Sequence, residues 1–313
     1  MKISNLLLAS LGALSLVGGT PALAAPSLLV GAPATPQVRK ASAINAVHYR
    51  KLKAAGATCH VVEVDLYNPH VQLRAFRAAD LGTRYRTFGS FVRQTRPIAA
   101  ITGTFFDTAT GTIICNLVRD GRLVEMGSVG HTLALDEVNQ PKWMSTAGQY
   151  GGGHNWKDSE FAVSSGPTLL RGGQICLNPR AEGFRDPGLF RQASRAGIAT
   201  TSRGKLLLVT VNQGVTLHKF AQVMQALGAS DALNLDGGSS TALYARGNYV
   251  SRPGRRLTNV LLVTVRPGAP IPREVELEAL QADENQLQPE NSEDFGPAPM
   301  PEKIDLSTQD IWL

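Results

Sequence analysis

The stretch Asn234–Thr241, "NLDGGSST", sets an amide and a carboxylate two residues apart and follows them with two glycines and three hydroxyls. The apolar run "ALNL" leads into it. On an extended chain alternate residues share a face, so Asn234 and Asp236 point one way and Leu235 the other. Leu235 then anchors in the core while the polar pair lines a cleft. Gly237 and Gly238 let a ligand approach backbone N–H groups closely. Ser239, Ser240 and Thr241 add hydrogen-bonding groups without bulk. Such a cluster suits an oxyanion or sugar hydroxyls, with Asp236 as general acid, general base or nucleophile. The same letters also spell an ordinary turn. No Walker lysine follows, which excludes a P-loop.

Two further stretches share this logic. "SSGPTLL" puts small hydroxyls and the Gly166–Pro167 turn between two apolar runs. "RAGIAT" puts Arg195 just before a strand. An arginine there is either a surface charge or a bidentate phosphate ligand. His131, His154 and His218 could serve Ser239 or Ser240 in a serine hydrolase, but no GxSxG elbow supports that reading. There is no HExxH motif, no EF-hand loop and no CxxC, so no metal site is expected. A divalent cation at Asp236 stays open, because an acid beside a phosphate is a natural cation site.

The elements that must position these residues are mostly strands. His60–Tyr67 alternates, with Val62, Val64 and Leu66 on one face, and "VQLRAF" reads as its hairpin partner. "TFGSFVRQT" is a short helix and Ile98–Thr102 a buried strand ending in a glycine turn. Asp120–Gly121 marks a hairpin. "FAVSS" and "TLLRGGQI" flank the Gly-Pro turn. "GIATT" and "KLLLVTV" flank Arg203–Gly204. Leu217, Phe220, Val223, Met224 and Leu227 fall at helical spacing, with Gly228 as the C-terminal cap. "DALNLD" and "NVLLVTV" complete the pattern. The expected fold is α+β, a single domain with a large mixed, mostly antiparallel sheet and few helices.

The chain has 313 residues and a net charge of +6, unevenly spread. From Pro267 to the end it carries 2 basic and 11 acidic residues, a balance of −9, which leaves +15 for the rest. That composition cannot bury a core, so residues 268–313 read as an acidic disordered tail. A basic body could favour anionic substrates or a polyanionic envelope, although charge alone is equally that of a merely soluble basic surface. It lacks the dense basic runs with interleaved aromatics of a nucleic-acid binder. The apolar run Leu6–Val17 precedes Ala22 and Ala24 in the small-x-small pattern of a signal peptidase site. The expected organisation is a signal peptide over 1–24, a linker and N-terminal extension over 25–56, and one catalytic-sized domain over 57–267. The protein is then secreted or periplasmic, with no membrane span after cleavage. In an oxidising compartment the three cysteines permit one pair, for which Cys115–Cys176 is preferred; three unpaired thiols are the alternative. Oligomeric state is not legible.

The ordered set "SSGPTLLRGG", "SRAGIATT", the helix, "NLDGGSSTALY" and "RRLTNVLLVTV" resembles the phosphodiester glycosidase family, with weaker likeness upstream through "AAITGTFFD" and "LVRDGRLV". The resemblance implies hydrolysis of a sugar-1-phosphodiester at the anomeric carbon, releasing free sugar and a phosphomonoester, without a cofactor. Residues matching the family pattern are Gly166, Pro167, Arg195, Asn234, Asp236, Gly237, Gly238, Ser239, Ser240 and Thr241, with Arg256 and Asn259 downstream. The family's Asn-Gly before its Phe-Phe is Thr102–Gly103 here, which puts the choice of sugar in question. Arg195 and the Gly237–Ser240 groups would hold the phosphate, and Asp236 would activate water or stabilise an oxocarbenium-like sugar, with Asp107 as a second carboxylate. The alternative is a non-catalytic envelope protein that binds anionic glycans.

Overall fold

A computed structural model describes residues 43, 45–149 and 154–266. The expected signal peptide, its cleavage site and the acidic tail lie outside these residues. In chain order the first elements are β1 (Val47–Ala54), β2 (Ala57–Asp65), β3 (Val71–Arg77), α1 (Phe88–Thr95), β4 (Ala99–Thr102), β5 (Leu117–Arg119) and β6 (Arg122–Glu125). Next come β7 (His131–Leu135), β8 (Pro141–Ser145), β9 (Phe161–Ser165), β10 (Thr168–Arg171), β11 (Gln174–Ile175) and β12 (Ala193–Thr200). The last are β13 (Lys205–Val215), α2 (Leu217–Ala226), β14 (Asp231–Asn234), β15 (Leu243–Ala245), β16 (Asn248–Ser251) and β17 (Asn259–Val265).

The strands make three sheets rather than one large one. Their orders are β1-β2-β13-β12-β14-β10-β11, β16-β15-β4-β17-β3 and β6-β5-β9-β7-β8. Every pairing among the described residues is antiparallel. With two helices, α1 and α2, packed beside these sheets among the described residues, the expected α+β class holds.

Alternation explains the layering. Leu206 and Leu208 of β13, Val62 and Val64 of β2, and Leu261 and Val263 of β17 turn into one core shared by the three sheets. The intervening Leu207, Val209 and Val61 face the opposite way, onto Phe220, Val223 and Met224 of α2. Val260 and Leu262 likewise meet Phe88, Phe91 and Val92 of α1. These strands are therefore apolar on both faces. Each such leucine, fully buried, contributes about 1.5–3 kcal/mol.

Three expectations fail here. The domain, expected to start at residue 57 after a linker and N-terminal extension, already includes β1, which pairs with β2 through a two-residue turn at Ala55 and Gly56, both with positive φ. Its burial pattern is mostly exposed, so an edge strand held by backbone hydrogen bonds carried little apolar signal. The expected hairpin of "VQLRAF" with His60–Tyr67 does not form: β2 lies between β1 and β13, and β3 pairs with β17. Successive turns at Asn68, where Asn68 N donates to Asp65 O and Val71 N to Asn68 O, carry the chain into the second sheet instead. Finally, Cys115 and Cys176 are not bonded; all three cysteines are free, with Cys59 and Cys115 buried and Cys176 exposed.

Candidate active site

β14 runs in the middle of the seven-stranded sheet, hydrogen-bonded to β12 on one side and β10 on the other. Its end projects from that sheet toward the second one. Leu235 N donates to Ala196 O at 2.8 Å, and Asp236 N to Gly103 O at 3.1 Å. Gly103 directly follows β4, so the motif stands where two sheets meet. Leu235 is fully buried in the shared core, while Asn234 and Asp236 line a cleft of about 390 Å³. The sheet alternation read from the sequence is what separates them.

Asp236 is only 6 % exposed. Its Oδ2 lies 3.1 Å from Nη2 of Arg255, whose Nε donates to Ser240 Oγ at 2.6 Å. Burial pushes the Asp236 carboxyl above its ordinary value, while hydrogen bonding from Ser240 and the charge of Arg255 pull it back. Arg255 also lies over the Phe106 ring, 4.7 Å from its centroid. Asn234 donates through Nδ2 to Gly166 O at 3.2 Å and Leu235 O at 2.9 Å. Those two carbonyls fix the amide's orientation, and the buried Oδ1 has no partner. An acceptor held this way is matched by a ligand N–H or O–H.

Arg195 lines the cleft and is 2 % exposed, with no carboxylate partner among the described residues. Its Nε donates to Val215 O at 3.1 Å, and its Nη2 to Leu189 O at 3.0 Å and to Arg191 O. Nη1 is its one nitrogen with no protein acceptor. Burial lowers this guanidinium's pKa. Arg195 thus ties the wall of the cleft to β13 and leaves one edge for an anion.

Of the other sequence-derived residues, Gly237, Gly238 and Ser239 line the cleft. Ser240 and Thr241 stand behind it: Ser240 takes the Arg255 hydrogen bond, and Thr241 donates to Ser194, which donates to Gly238 O. Thr102 is buried within β4, paired with Val260. Gly103 is packed so closely that a Cβ would fall 1.8 Å from Asn259 Oδ1. Asn259 in turn clamps Thr104, accepting from its N at 2.7 Å and donating to its O at 3.0 Å. Thr102, Gly103 and Asn259 therefore support the turn that presents Phe105 and Phe106 to the cleft; they do not line it. Gly166 is likewise structural, with Phe184 and Glu182 filling the space a Cβ would need.

One expectation is corrected. Asp107 is exposed and does not line the cleft; its Oδ1 accepts from Ala109 N, Thr110 N and Thr110 Oγ1, closing its own loop. Those hydrogen bonds lower its pKa, the reverse of what a proton donor needs. The arginine that reaches Asp236 is Arg255, while the exposed Arg256 does not contact it. The sequence also left out Asp186, the other carboxylate lining the cleft, and Glu182. Glu182 is 3 % exposed and accepts from Thr168 N and Thr168 Oγ1, with His131 Nδ1 at 2.9 Å. No histidine is hydrogen-bonded to Ser239 or Ser240: His131 meets Thr168 and Glu182, His218 meets Gln222, and His154 packs on Trp156. Among the described residues no three His, Cys, Asp or Glu side chains converge as a metal site.

A model of the phosphodiester glycosidase family matches residues 95–264, more than half of the chain. The chain belongs to this family. Its domain is that of a glycosidase-type hydrolase. No curated protein matches the chain in sequence.

Solved structures share the phosphodiester glycosidase fold at low identity. A hypothetical protein from Synechocystis is 19 % identical with a TM-score of 0.55, over 70 % of this chain and 62 % of that one. The chain thus spans about three fifths of the Synechocystis protein. The catalytic domain of zebrafish N-acetylglucosamine-1-phosphodiester alpha-N-acetylglucosaminidase, auto-inhibited by its pro-peptide, is 20 % identical with a TM-score of 0.54, covering 70 % of this chain and 82 % of that one. A protein from Burkholderia pseudomallei K96243 is 13 % identical with a TM-score of 0.51, over 66 % of this chain and 74 % of that one.

Proposed function

We propose that this phosphodiester glycosidase hydrolyses a sugar-1-phosphodiester outside the cytoplasm. The observation that carries the reading is the buried Asp236 paired with Arg255 in a cleft that Asn234, with its unpartnered Oδ1, also lines. Water adds to the anomeric carbon and gives a proton to the Asp236 carboxylate. The bond from that carbon to the phosphate oxygen breaks, and the phosphomonoester leaves with the bonding pair. A phosphate leaves more readily than an alcohol, so neutralising its oxygens counts for more than protonating it. Arg255, Arg195 and the Gly237–Ser239 backbone, all lining the cleft, would take that task.

A raised pKa suits Asp236 to proton abstraction, because a carboxylate whose pKa lies nearer neutrality is the stronger base. Asn234 Oδ1 would accept from a sugar hydroxyl or acylamino N–H. Phe105, Phe106 and Phe184 give the apolar wall against which a sugar ring packs. Asp186 is the second carboxylate on the cleft, although its Oδ1 also accepts from Gly188 N at 2.7 Å. The zebrafish enzyme's name points to N-acetylglucosamine as one sugar to test. The Leu6–Val17 run and the Ala22/Ala24 pattern support export, and N-terminal sequencing of the protein from its native host checks it.

The deciding experiment incubates the protein with a panel of sugar-1-phosphodiesters and measures reducing sugar. Release of free sugar with a phosphomonoester is expected. Tight binding without any release would leave a glycan-binding protein in its place.

A further inference from the structure

Arg255 borders two spaces. Besides the cleft it lines a neighbouring groove of about 520 Å³, together with Arg93, Arg252, Arg256, Thr87 and Tyr249. Four arginines line this groove and no acidic residue does. Neither Arg252 nor Arg256 has an ion pair or hydrogen bond among the described residues. Arg252 is held over the Tyr249 ring, 4.7 Å from its centroid. Gly254, between them, donates its N–H to Ser239 O at 2.8 Å, and Leu257 exchanges backbone hydrogen bonds with Arg86 at 2.8 and 2.9 Å. The segment bearing these arginines is therefore anchored to the same motif that floors the cleft.

Arg255 is already paired with Asp236, but Arg252 and Arg256 bring two like charges to one anchored loop without an acidic partner among the described residues, which favours binding of an anion. Guanidinium groups suit phosphate oxygens, which they meet bidentately. We propose that this groove binds a second phosphate of the substrate, one repeat beyond the scissile diester, so that the preferred substrate is an oligomeric sugar-phosphate chain. The inference rests on the hydrolase reading for the word substrate; the groove's affinity for a polyanion does not. In this arrangement Arg255 meets the scissile phosphate from the cleft while Arg252 and Arg256 take the next one.

The test uses the full chain and the double variant Arg252→Gln/Arg256→Gln, both positions being exposed and outside the cleft. Two substrates with the same sugar are compared: a sugar-1-phosphodiester with a neutral alcohol, and an oligomer of the sugar-phosphate unit. Loss of charge-assisted hydrogen bonds should raise KM for the oligomer about tenfold or more. KM for the simple diester and both kcat values should stay the same. An equal change for both substrates, or none for either, overturns the proposal. A second arm measures binding of fluorescently labelled inorganic polyphosphate. Binding by the parent that weakens about tenfold in the variant supports the groove even if neither protein releases sugar, in which case only the hydrolase reading falls. Equal polyphosphate binding by both proteins overturns the groove.

Discussion

Nη2 of Arg255 stands 3.1 Å from Oδ2 of Asp236, and the same guanidinium holds Ser240 through Nε. The carboxylate is buried while its cation is about one-third exposed, with a relative side-chain accessibility of 32 %. Desolvation therefore falls mainly on the acid, and its pKa is raised despite the adjacent charge. That imbalance is how one pair can hold a phosphate with its cation and take a proton with its acid.

Asp236→Asn should abolish turnover and keep the fold. A general base contributes at least about a hundredfold, so kcat should fall by that much or more. Circular dichroism should be unchanged. Near-parental turnover on any substrate the parent cleaves would remove Asp236 from the mechanism. The pH dependence has a definite sign. A carboxyl with a raised folded-state pKa favours folding when protonated, and that contribution is lost as pH rises through the folded value. The asparagine variant should thus compare best with the parent at neutral pH, and its relative melting temperature should decline toward acid. Parental activity should rise with pH along a limb displaced above the usual carboxylate range.

Glu182 should prove a positioning residue. It holds Thr168 beside Gly166, whose carbonyl orients Asn234, and the residues after it, Gly183–Leu189, supply one wall of the cleft. Glu182→Ala strands the buried Thr168 N–H, while the Thr168 hydroxyl keeps His131 Nδ1 beside it, costing about 1–3 kcal/mol of stability. KM should rise more than kcat falls, because binding geometry is lost while the Asp236–Arg255 pair is untouched. Glu182→Gln keeps an acceptor and should rescue most of both. Identical kinetics for the alanine variant and the parent would show the clasp to be irrelevant to substrate.

Much of this was legible in the sequence because a strand buried on both faces leaves a continuous apolar run. The runs holding Leu206–Val209 and Val260–Val263 could be read directly as strands, and the Asn234–Asp236 spacing placed both side chains in one cleft. Strand pairing was less legible. β2 and β3 are adjacent in sequence, yet nothing in "YNPH" distinguishes a hairpin from a crossing between sheets. The choice of Arg255 over Arg256 could not be read either, since both lie in an irregular loop where no period fixes direction. Asp107 failed for a related reason. An Asp followed three residues later by Thr has the same letters whether it closes its own turn or faces a substrate. Glu182 had no signal at all, because its partners, Thr168 and His131, are distant in sequence and met through the fold.

Thiol labelling separates the free-cysteine structure from the disulfide expected by compartment. Cys115 is fully buried, and burial pushes its thiol up to about 12; Cys59 is buried as well, and Cys176 is exposed. A thiol reagent should modify one cysteine in the native protein and three after denaturation without reductant. A Cys115–Cys176 bond would instead leave none reactive in the native state and one in the unfolded state. The readout is mass spectrometry of the alkylated protein.

The acid stability of the body should depend on Asp80. Its carboxylate accepts from Arg77 through Nε and Nη2 and from Arg119 through both terminal nitrogens, and Arg77 also reaches Glu125. These contacts join β3, in the second sheet, to β5 and β6 in the third. Burial alone would raise the Asp80 pKa, but the hydrogen bonds from Arg119 and Arg77 outweigh it and bring it to about 2. A lowered folded-state value stabilises the protein above the unfolded pKa, and that stability is lost as pH falls from about 4 toward 2. Asp80→Asn should cost about 1–2 kcal/mol at pH 7, the discount from the full shift reflecting solvent screening around the partly exposed arginines. The gap between variant and parent in urea denaturation should close as the pH approaches 2. A gap that persists unchanged in acid would mean that packing at residue 80, rather than its charge, holds the two sheets together.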